Sequence, residues 1–382
     1  MSKRLLFYLP SLSAGGAERV CSHLANYWAE AGHRVLVATL SAPETDHYRL
    51  HASVKRCSLG LLVASSNPAV AVWRNVQRIQ RLRGLLRKVA PDAVVAFMAW
   101  PSVILAFARV GFRHIICIGS ERMHSPSWPL GPIWERLRSV SYGWLDGITA
   151  LTEASAVWLR AHTRARRVAV IPNPIPYPLP DHPPYLDPFS VGMPGRKRLL
   201  AIGRLSHEKG FDLLLASFSE LARNFESWEL VILGEGKLRP DLERQIASLG
   251  LSGRVYLPGV VGNVGAWLSS AELFVLSSRS EGFGNVLGEA LAYGLPAVSF
   301  DCDSGPRAII RHGVDGLLIP AGDTAGLSNA LSRLMRDDHL RAEMAARATE
   351  ARQRFAIHRV AGAWEQLIES LRESRLDSRN DG

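Results

Sequence analysis

The chain has 382 residues, 47% hydrophobic and 21% charged, an ordinary globular composition that excludes a low-complexity or disordered polypeptide. That length exceeds one ordinary core and suits two domains of roughly 100–200 residues each. Net charge is +10, and the excess is one-sided: residues 1–190 hold 22 Lys and Arg against 11 Asp and Glu, whereas residues 191–382 hold 23 against 24. A basic N-terminal half attracts the phosphates of nucleic acid, an anionic membrane or a lipid-linked substrate; the plain alternative is that it only aids solubility. Cys21, Cys57, Cys117 and Cys302 are far apart with no CxxC, so neither a disulfide framework nor a zinc site is expected, and a reducing cytoplasm suits them.

Lys3 and Arg4 precede an apolar run that Pro10 interrupts, so RLLFYL reads as a first strand and not as a secretory leader. In SLSAGGAERV, Gly15 and Gly16 stand before an apolar helical repeat, where backbone amides and the helix dipole can meet a phosphate. A GG pair also serves as a plain tight turn. The stretch is not GxGxxG, and the strand HRVLVATL ends in no acidic residue of dinucleotide type, which counts against a bound NAD.

Residues 71–90, AVWRNVQRIQRLRGLLRKVA, carry six cations and no acid. Val72, Val76, Ile79, Leu86 and Val89 recur at helical spacing as an apolar face, while Arg74, Arg78, Arg81 and Lys88 form a cationic strip. Either the strip is merely solvated, or it meets anionic lipid and the diphosphate of a polyprenyl-linked acceptor. Nucleic acid is not expected, because no aromatic-interleaved basic groove accompanies it. The apolar run at 93–108 has 16 residues with Pro101 inside it, short of the ~20 needed to span a bilayer, and reads as a strand followed by a helix.

Nine prolines fall within residues 171–195, and proline continues neither a helix nor a central strand, so that segment reads as a linker. Before and after it, short apolar runs alternate with helical patterns. The expected fold is α/β: two doubly wound Rossmann-like domains facing a cleft, at residues 1–170 and 196–356. Residues 357–382 form an amphipathic helix expected to pack back on the first domain.

The second domain opens with RLLAIGRLSHEKGFDLLL. Arg204 and Lys209 follow a strand there, a pair of cations suited to a diphosphate. In ELVILGEGKL, Gly234 and Gly236 leave room for a flat ring. The loop SSRSEGFGN follows the strand ELFVL; Asn285 is expected to cap the next helix, so that Gly282, Phe283, Gly284 and Asn285 present backbone amides to an anion. Glu289 lies four residues on, along the same helical face. Two carboxylates, Glu281 and Glu289, flanking an anion site suit a nucleotide sugar, with hydroxyls on both sides of a diphosphate. Asp301 and Asp303 match a DxD metal motif but end a strand where cations and amides already serve a diphosphate, so no metal is expected.

GGAERV, GRLSHEKGFDLLL and EGFGNVLGEALAYGLPAVSFDCDSGPRAII with VDGLLIP together resemble the retaining family-4 glycosyltransferases of two-Rossmann GT-B fold, and among them the bacterial enzymes that extend lipid-linked glycans. Glu281 and Glu289 carry the E-x7-E signature. By that resemblance Glu281 faces the donor sugar, Glu289 holds ribose hydroxyls, and Arg204 and Lys209 neutralise the diphosphate, helped by Gly15, Gly16 and the amides of Gly282 to Asn285. Many relatives have a His-Asp pair where this chain reads CIGSERMH, so Glu121, Arg122 and His124 stand as acceptor-side candidates; many also have a glutamate at the position of Ala308.

The resemblance implies transfer of a hexose or acetamido sugar, with retention, from a nucleotide-diphosphate donor, UDP being the expected nucleotide. The implied acceptor is a lipid-linked glycan, with a polyprenyl diphosphate as the carrier, or another glycan, at the cytoplasmic face of the membrane. The enzyme would be peripheral on that anionic surface and need neither cofactor nor metal. A UDP-sugar epimerase of the same fold and a non-catalytic binder of nucleotide sugar or anionic lipid are the rival readings.

Overall fold

The structure, a computed structural model, describes residues 2–62 and 67–380. The chain divides into two compact units, residues 1–174 with 357–382 and residues 175–356. In the first unit β1 (Arg4–Leu9), β2 (Arg34–Thr39), β3 (Lys55–Ser58), β4 (Ala93–Phe97), β5 (Ile116–Ser120), β6 (Gly147–Ala150) and β7 (Val168–Val170) form a parallel sheet in the order β3-β2-β1-β4-β5-β6-β7. Helices α1 (Gly16–Glu30), α2 (Pro68–Val89), α3 (Ala99–Ala108), α4 (Pro132–Ser141) and α5 (Glu153–His162) connect them.

The second unit repeats the plan. Its strands β8 (Lys197–Ile202), β9 (Trp228–Leu233), β10 (Val255–Gly259), β11 (Leu273–Leu276), β12 (Ala297–Asp301) and β13 (Gly316–Pro320) run parallel in the order β10-β9-β8-β11-β12-β13. Its helices are α6 (Phe211–Ala222), α7 (Arg239–Ser248), α8 (Val264–Ser269), α9 (Asn285–Ala292), α10 (Pro306–Ile309), α11 (Thr324–Arg336), α12 (Asp338–Ala348) and α13 (Ala351–Arg354). In both sheets the winding reverses beside the first strand, between β1 and β4 and between β8 and β11. Such switch points open a crevice beyond the strands' carboxyl ends, where ligands of doubly wound folds bind.

Strand chemistry explains the layering. Residues 5–9 of β1 are all buried, as a central parallel strand requires. Leu5, Phe7 and Leu9 point into one core with Trp28 of α1, while Leu6 and Tyr8 point into the other with Leu82, Leu86 and Val103. This is the period-two alternation of a strand. The last helix, α14 (Ile357–Asn380), belongs to this first unit. Its Val360, Trp364, Leu367 and Leu371 join the α1 core, and Trp28 Nε1 donates to Glu365 Oε1 at 2.7 Å.

Two sequence expectations are corrected. The segment 171–195 is not a free linker throughout: residues from 175 onward belong to the second unit. Arg198 fastens them, donating to the carbonyls of Pro188 and Val191 and pairing with Glu229 at 2.9 Å, while Met193 N–H donates to the other Glu229 oxygen at 3.0 Å. This buried network lies outside any apolar pattern, which is why periodicity missed it.

The second correction concerns α2. Asn67 caps it and Pro68 begins it, but its fully buried residues are only Leu82 and Leu86. Val72 and Val76, read as part of one apolar face, are 65% and 36% exposed, and Trp73 is 59% exposed. Length supplies the reason: 22 residues of helix extend about 33 Å, whereas a five-residue strand such as β4 extends about 17 Å. The apolar stripe outruns the sheet it packs on.

Candidate active site

The second unit's switch point gathers most of the donor-side candidates. Arg204 lies just past β8 and is exposed, with no hydrogen bond or ion pair from its guanidinium among the described residues. The chain then makes a short helical turn at His207–Lys209. Gly210 closes that turn at φ 63°, and a Cβ there would stand 2.1 Å from Ser277 O; glycine alone lets the turn reach the end of β11. Ser277 Oγ donates to Lys209 O at 3.0 Å, tying the two strand ends together.

Lys209 Nζ therefore meets Glu281 Oε1 at 2.6 Å. Ser278 Oγ donates to the same oxygen at 2.6 Å. Glu281 is 8% exposed, and its Oε2 carries no protein hydrogen bond among the described residues. The buried Cys302 thiol lies near enough to be affected: burial, then the charge of Glu281, pushes it up to about 12, so it stays a thiol. Arg279 anchors the loop, forking onto Asp212 at 2.7 and 2.8 Å and donating to His207 O at 2.9 Å. The Arg279 hydrogen bonds hold the Asp212 carboxyl below its ordinary range. Ser278, Arg279 and Asp212 escaped sequence reasoning; the Ser278-Arg279 pair, two residues before Glu281, was the available signal.

The helix after this loop is capped differently from the expectation. Asn285 is its first residue, and Gly284 is the N-cap at φ 90°, with no side chain closing the turn. Only glycine takes that left-handed conformation without strain, so the asparagine is displaced into the helix. The amides of Gly282, Phe283 and Gly284 donate to no protein acceptor among the described residues, and they open onto the helix start. Phe283 itself is buried edge-on against Phe355, 5.7 Å between ring centres. Glu289 is 2% exposed on α9. Gly234 follows β9, its N–H on Gly259 O at 2.8 Å.

Asp301 of the DCD stretch pairs with Arg307, whose Nε lies 3.1 Å from its Oδ1. Among the described residues no three His, Cys, Asp or Glu are placed to hold a metal ion. Ala308 is exposed.

The remaining candidates lie in the first unit. Gly15 is the extended N-cap of α1, again without a side-chain cap, and Tyr48 Oη donates to its carbonyl at 3.1 Å; Gly16 begins the helix. Glu121, Arg122 and His124 are all buried beyond β5. Glu121 accepts from the Tyr142 hydroxyl and faces Arg138 at 3.7 Å; burial raises its carboxyl and Arg138 opposes the rise. His124 Nδ1 shares a 3.0 Å hydrogen bond with Ser155 Oγ. Both serve the unit's interior. Arg122 Nη1 donates to Asn173 Oδ1 at 2.9 Å, with its guanidinium 4.5 Å from the centre of the Phe97 ring. On α2, Arg78 donates to Leu61 O and Asn75 and lies over the Trp100 ring, and Arg81 donates to Leu59 O at 2.9 Å. The cationic strip therefore partly secures the preceding loop. Arg74 is part-buried and Lys88 exposed.

Two doubly wound parallel sheets, each with its own switch point, are the architecture of the two-Rossmann GT-B glycosyltransferases. Comparison places the chain in that family: the model described as "Glycosyltransferase Family 4" matches residues 14–177, and "Glycosyl transferases group 1" matches residues 196–337. The protein belongs to the family-4 glycosyltransferases and is a glycosyltransferase.

The chain is 28% identical, over 97% of its length and 99% of the relative's, to the GalNAc-alpha-(1->4)-GalNAc-alpha-(1->3)-diNAcBac-PP-undecaprenol alpha-1,4-N-acetyl-D-galactosaminyltransferase of Campylobacter jejuni subsp. jejuni serotype O:2. In fold it is similar to sucrose-phosphate synthase from Thermosynechococcus elongatus (TM-score 0.82, 17% identity, 97% of this chain and 100% of that one). It is also similar to Anabaena Alr3699/HepE in complex with UDP (TM-score 0.77, 20% identity, 96% of this chain and 100% of that one).

Proposed function

We propose that the protein transfers a hexose or acetamido sugar, with retention, from a UDP-type nucleotide sugar to a lipid-linked glycan at the cytoplasmic face of the membrane. The observation that carries the reading is the Lys209–Glu281 pair at the switch point, with Arg204 and the amides of Gly282 to Gly284 around it. As the glycosidic bond breaks, negative charge grows on the leaving diphosphate; cations already in place oppose it without reorganising. Arg204 grips oxygens as a fork and Lys209 acts as a point charge. Glu281 holds Lys209 in position and faces the sugar. Glu289 takes the ribose hydroxyls. With fixed cations doing a metal's electrostatic work, no divalent ion is needed.

The UDP assignment is supported by the similarity to a protein solved with UDP, and the lipid-linked acceptor by a relative that acts on an undecaprenol-linked glycan. The membrane reading is supported by α2, where the exposed Val72, Trp73 and Val76 adjoin Arg74, a pattern suited to an anionic interface. No helix among the described residues is long and apolar enough to cross a membrane.

Incubation with radiolabelled UDP-sugars and membrane extract tests the proposal. Label in the lipid fraction supports it. A new nucleotide sugar would mean epimerisation, and no conversion at all would leave only binding; either result defeats the proposal.

A further inference from the structure

The end of the first sheet opposite its switch point carries a cavity of about 690 Å3 that the proposed reaction does not use. It lies beyond the amino ends of β5, β6 and β7, walled by the loop after α3, the turn before β6 and one side of α14. That volume is ample for a small ligand.

Its charge is lopsided. Four arginines line it, Arg109, Arg113, Arg166 and Arg375, against a single acid, Asp146. The Asp146 carboxylate is already engaged: Arg375 Nε and Nη2 fork onto its two oxygens at 3.1 and 2.5 Å, Arg109 Nη1 stands 3.3 Å away, and Cys117 N–H donates to it at 2.7 Å. Both guanidiniums also bond other groups of the cavity wall, Arg109 donating to Trp144 O and Arg375 to Arg113 O at 2.7 Å. One negative charge is thus shared by two cations. Arg113 and Arg166 are exposed, and their guanidiniums make no hydrogen bond or ion pair among the described residues. Fixing Asp146 needs one arginine; gathering four adds like-charge repulsion that a bound anion would relieve.

The frame around these cations is held in advance. Arg83 of α2 donates to Ala108 O and Val110 O at 2.9 and 2.6 Å, clamping the loop that carries Arg109 and Arg113. Arg164 N–H donates to Ser139 O at 2.8 Å, and Gly143 lets the turn before β6 pack on the Arg164 carbonyl, since a Cβ there would stand 3.0 Å from that oxygen. Trp144 and Val110, 44% and 60% exposed, add apolar surface beside the cations.

An excess of three positive charges among the lining residues suits an anion of two or three charges. A phosphomonoester carries about −1.5 to −2 at neutral pH, whereas a carboxylate or a phosphodiester carries one. Guanidiniums also match phosphate oxygens as planar forks. We propose that this cavity binds a phosphomonoester or diphosphate group, presented either by a free anion or by a lipid headgroup. The site is built from the first unit alone and does not rest on the glycosyl-transfer reading.

Two assays on the full chain test this and separate the sources: calorimetry with inorganic pyrophosphate, and flotation with phosphatidylcholine vesicles containing phosphatidate or, at matched surface charge, phosphatidylglycerol. Each compares the wild type with Arg113→Ala plus Arg166→Ala, so that pyrophosphate bound at the donor site cancels. The double variant is expected to weaken pyrophosphate binding, phosphatidate flotation or both by about tenfold or more. Its thermal midpoint and donor KM should be nearly unchanged, because both residues are exposed and lie outside the second unit. Loss in calorimetry identifies a free anion, and loss of flotation on phosphatidate but not on phosphatidylglycerol identifies a headgroup. Should the double variant fail to fold, Arg166→Ala alone carries the test. The inference is overturned if neither assay responds to the substitutions, or if flotation falls equally on both lipids with pyrophosphate binding unchanged, which would leave four solvated arginines around a structural aspartate.

Discussion

Lys209 Nζ and Glu281 Oε1 stand 2.6 Å apart across the switch point of the second sheet, and Ser278 Oγ reaches the same carboxylate oxygen from the other strand's loop. One cation and one carboxylate thus fix each other, on the proposed reading at the point where diphosphate and sugar part. The site is preorganised by contacts the protein makes before any ligand arrives.

Ser278 acts through Glu281 and is therefore a positioning residue. Ser278→Ala should lower kcat by about tenfold, the worth of one charge-assisted hydrogen bond, with donor KM changed less. Steady-state kinetics check this; a KM rise with unchanged kcat would mean that the serine serves ground-state binding instead.

Metal independence is expected on the proposed reading. Asp301 is engaged by Arg307, so transfer should continue in excess EDTA, and Asp301→Asn should retain activity within a few-fold. Activity lost in EDTA and restored by a divalent ion, but not in the Asp301→Asn variant, would return the DCD stretch to a metal-binding role.

The exposed start of α2 offers a separable test. Val72→Asp with Trp73→Asp should weaken flotation with anionic liposomes at least tenfold while leaving the thermal midpoint nearly unchanged, because both side chains are mostly exposed. Undiminished flotation would remove the helix from the membrane account.

Arg198 and Glu229, 6% and 1% exposed, form a buried pair that also holds the Pro188 to Met193 segment. Glu229→Ala should cost about 3–5 kcal/mol, since it strands a buried charge. Chemical denaturation reads this out. A loss under 1 kcal/mol would show that Arg198 finds water or other partners instead.

Alternation of apolar runs with helical patterns was enough to read two doubly wound sheets, because parallel strands buried on both faces leave an unbroken apolar signature. The placement of Arg204, Lys209 and Glu281 at the switch point was legible for a related reason: the loops that carry them follow directly after recognisable strands. What stayed hidden depends on distance in the chain. The partnership of Lys209 with Glu281 spans 72 positions, and the Arg198–Glu229 network carries no periodicity. Gly284 took the cap expected of Asn285 because backbone conformation, not side-chain polarity, decides that turn. The outward Val72 and Val76 misled for a geometric reason, since a pattern shows which residues share a face but not whether anything lies against it.

The central claim is that Arg204, Lys209 and Glu281 act together on the departing diphosphate and sugar. Turnover of radiolabelled donor by purified Glu281→Gln and Arg204→Ala, each with its fold verified by circular dichroism and thermal melting, tests it most directly. The account predicts a fall in kcat of about 100- to 1,000-fold in each, the usual scale for removing a preorganised electrostatic group, with donor KM altered far less. Wild-type turnover in a well-folded Glu281→Gln protein would contradict it.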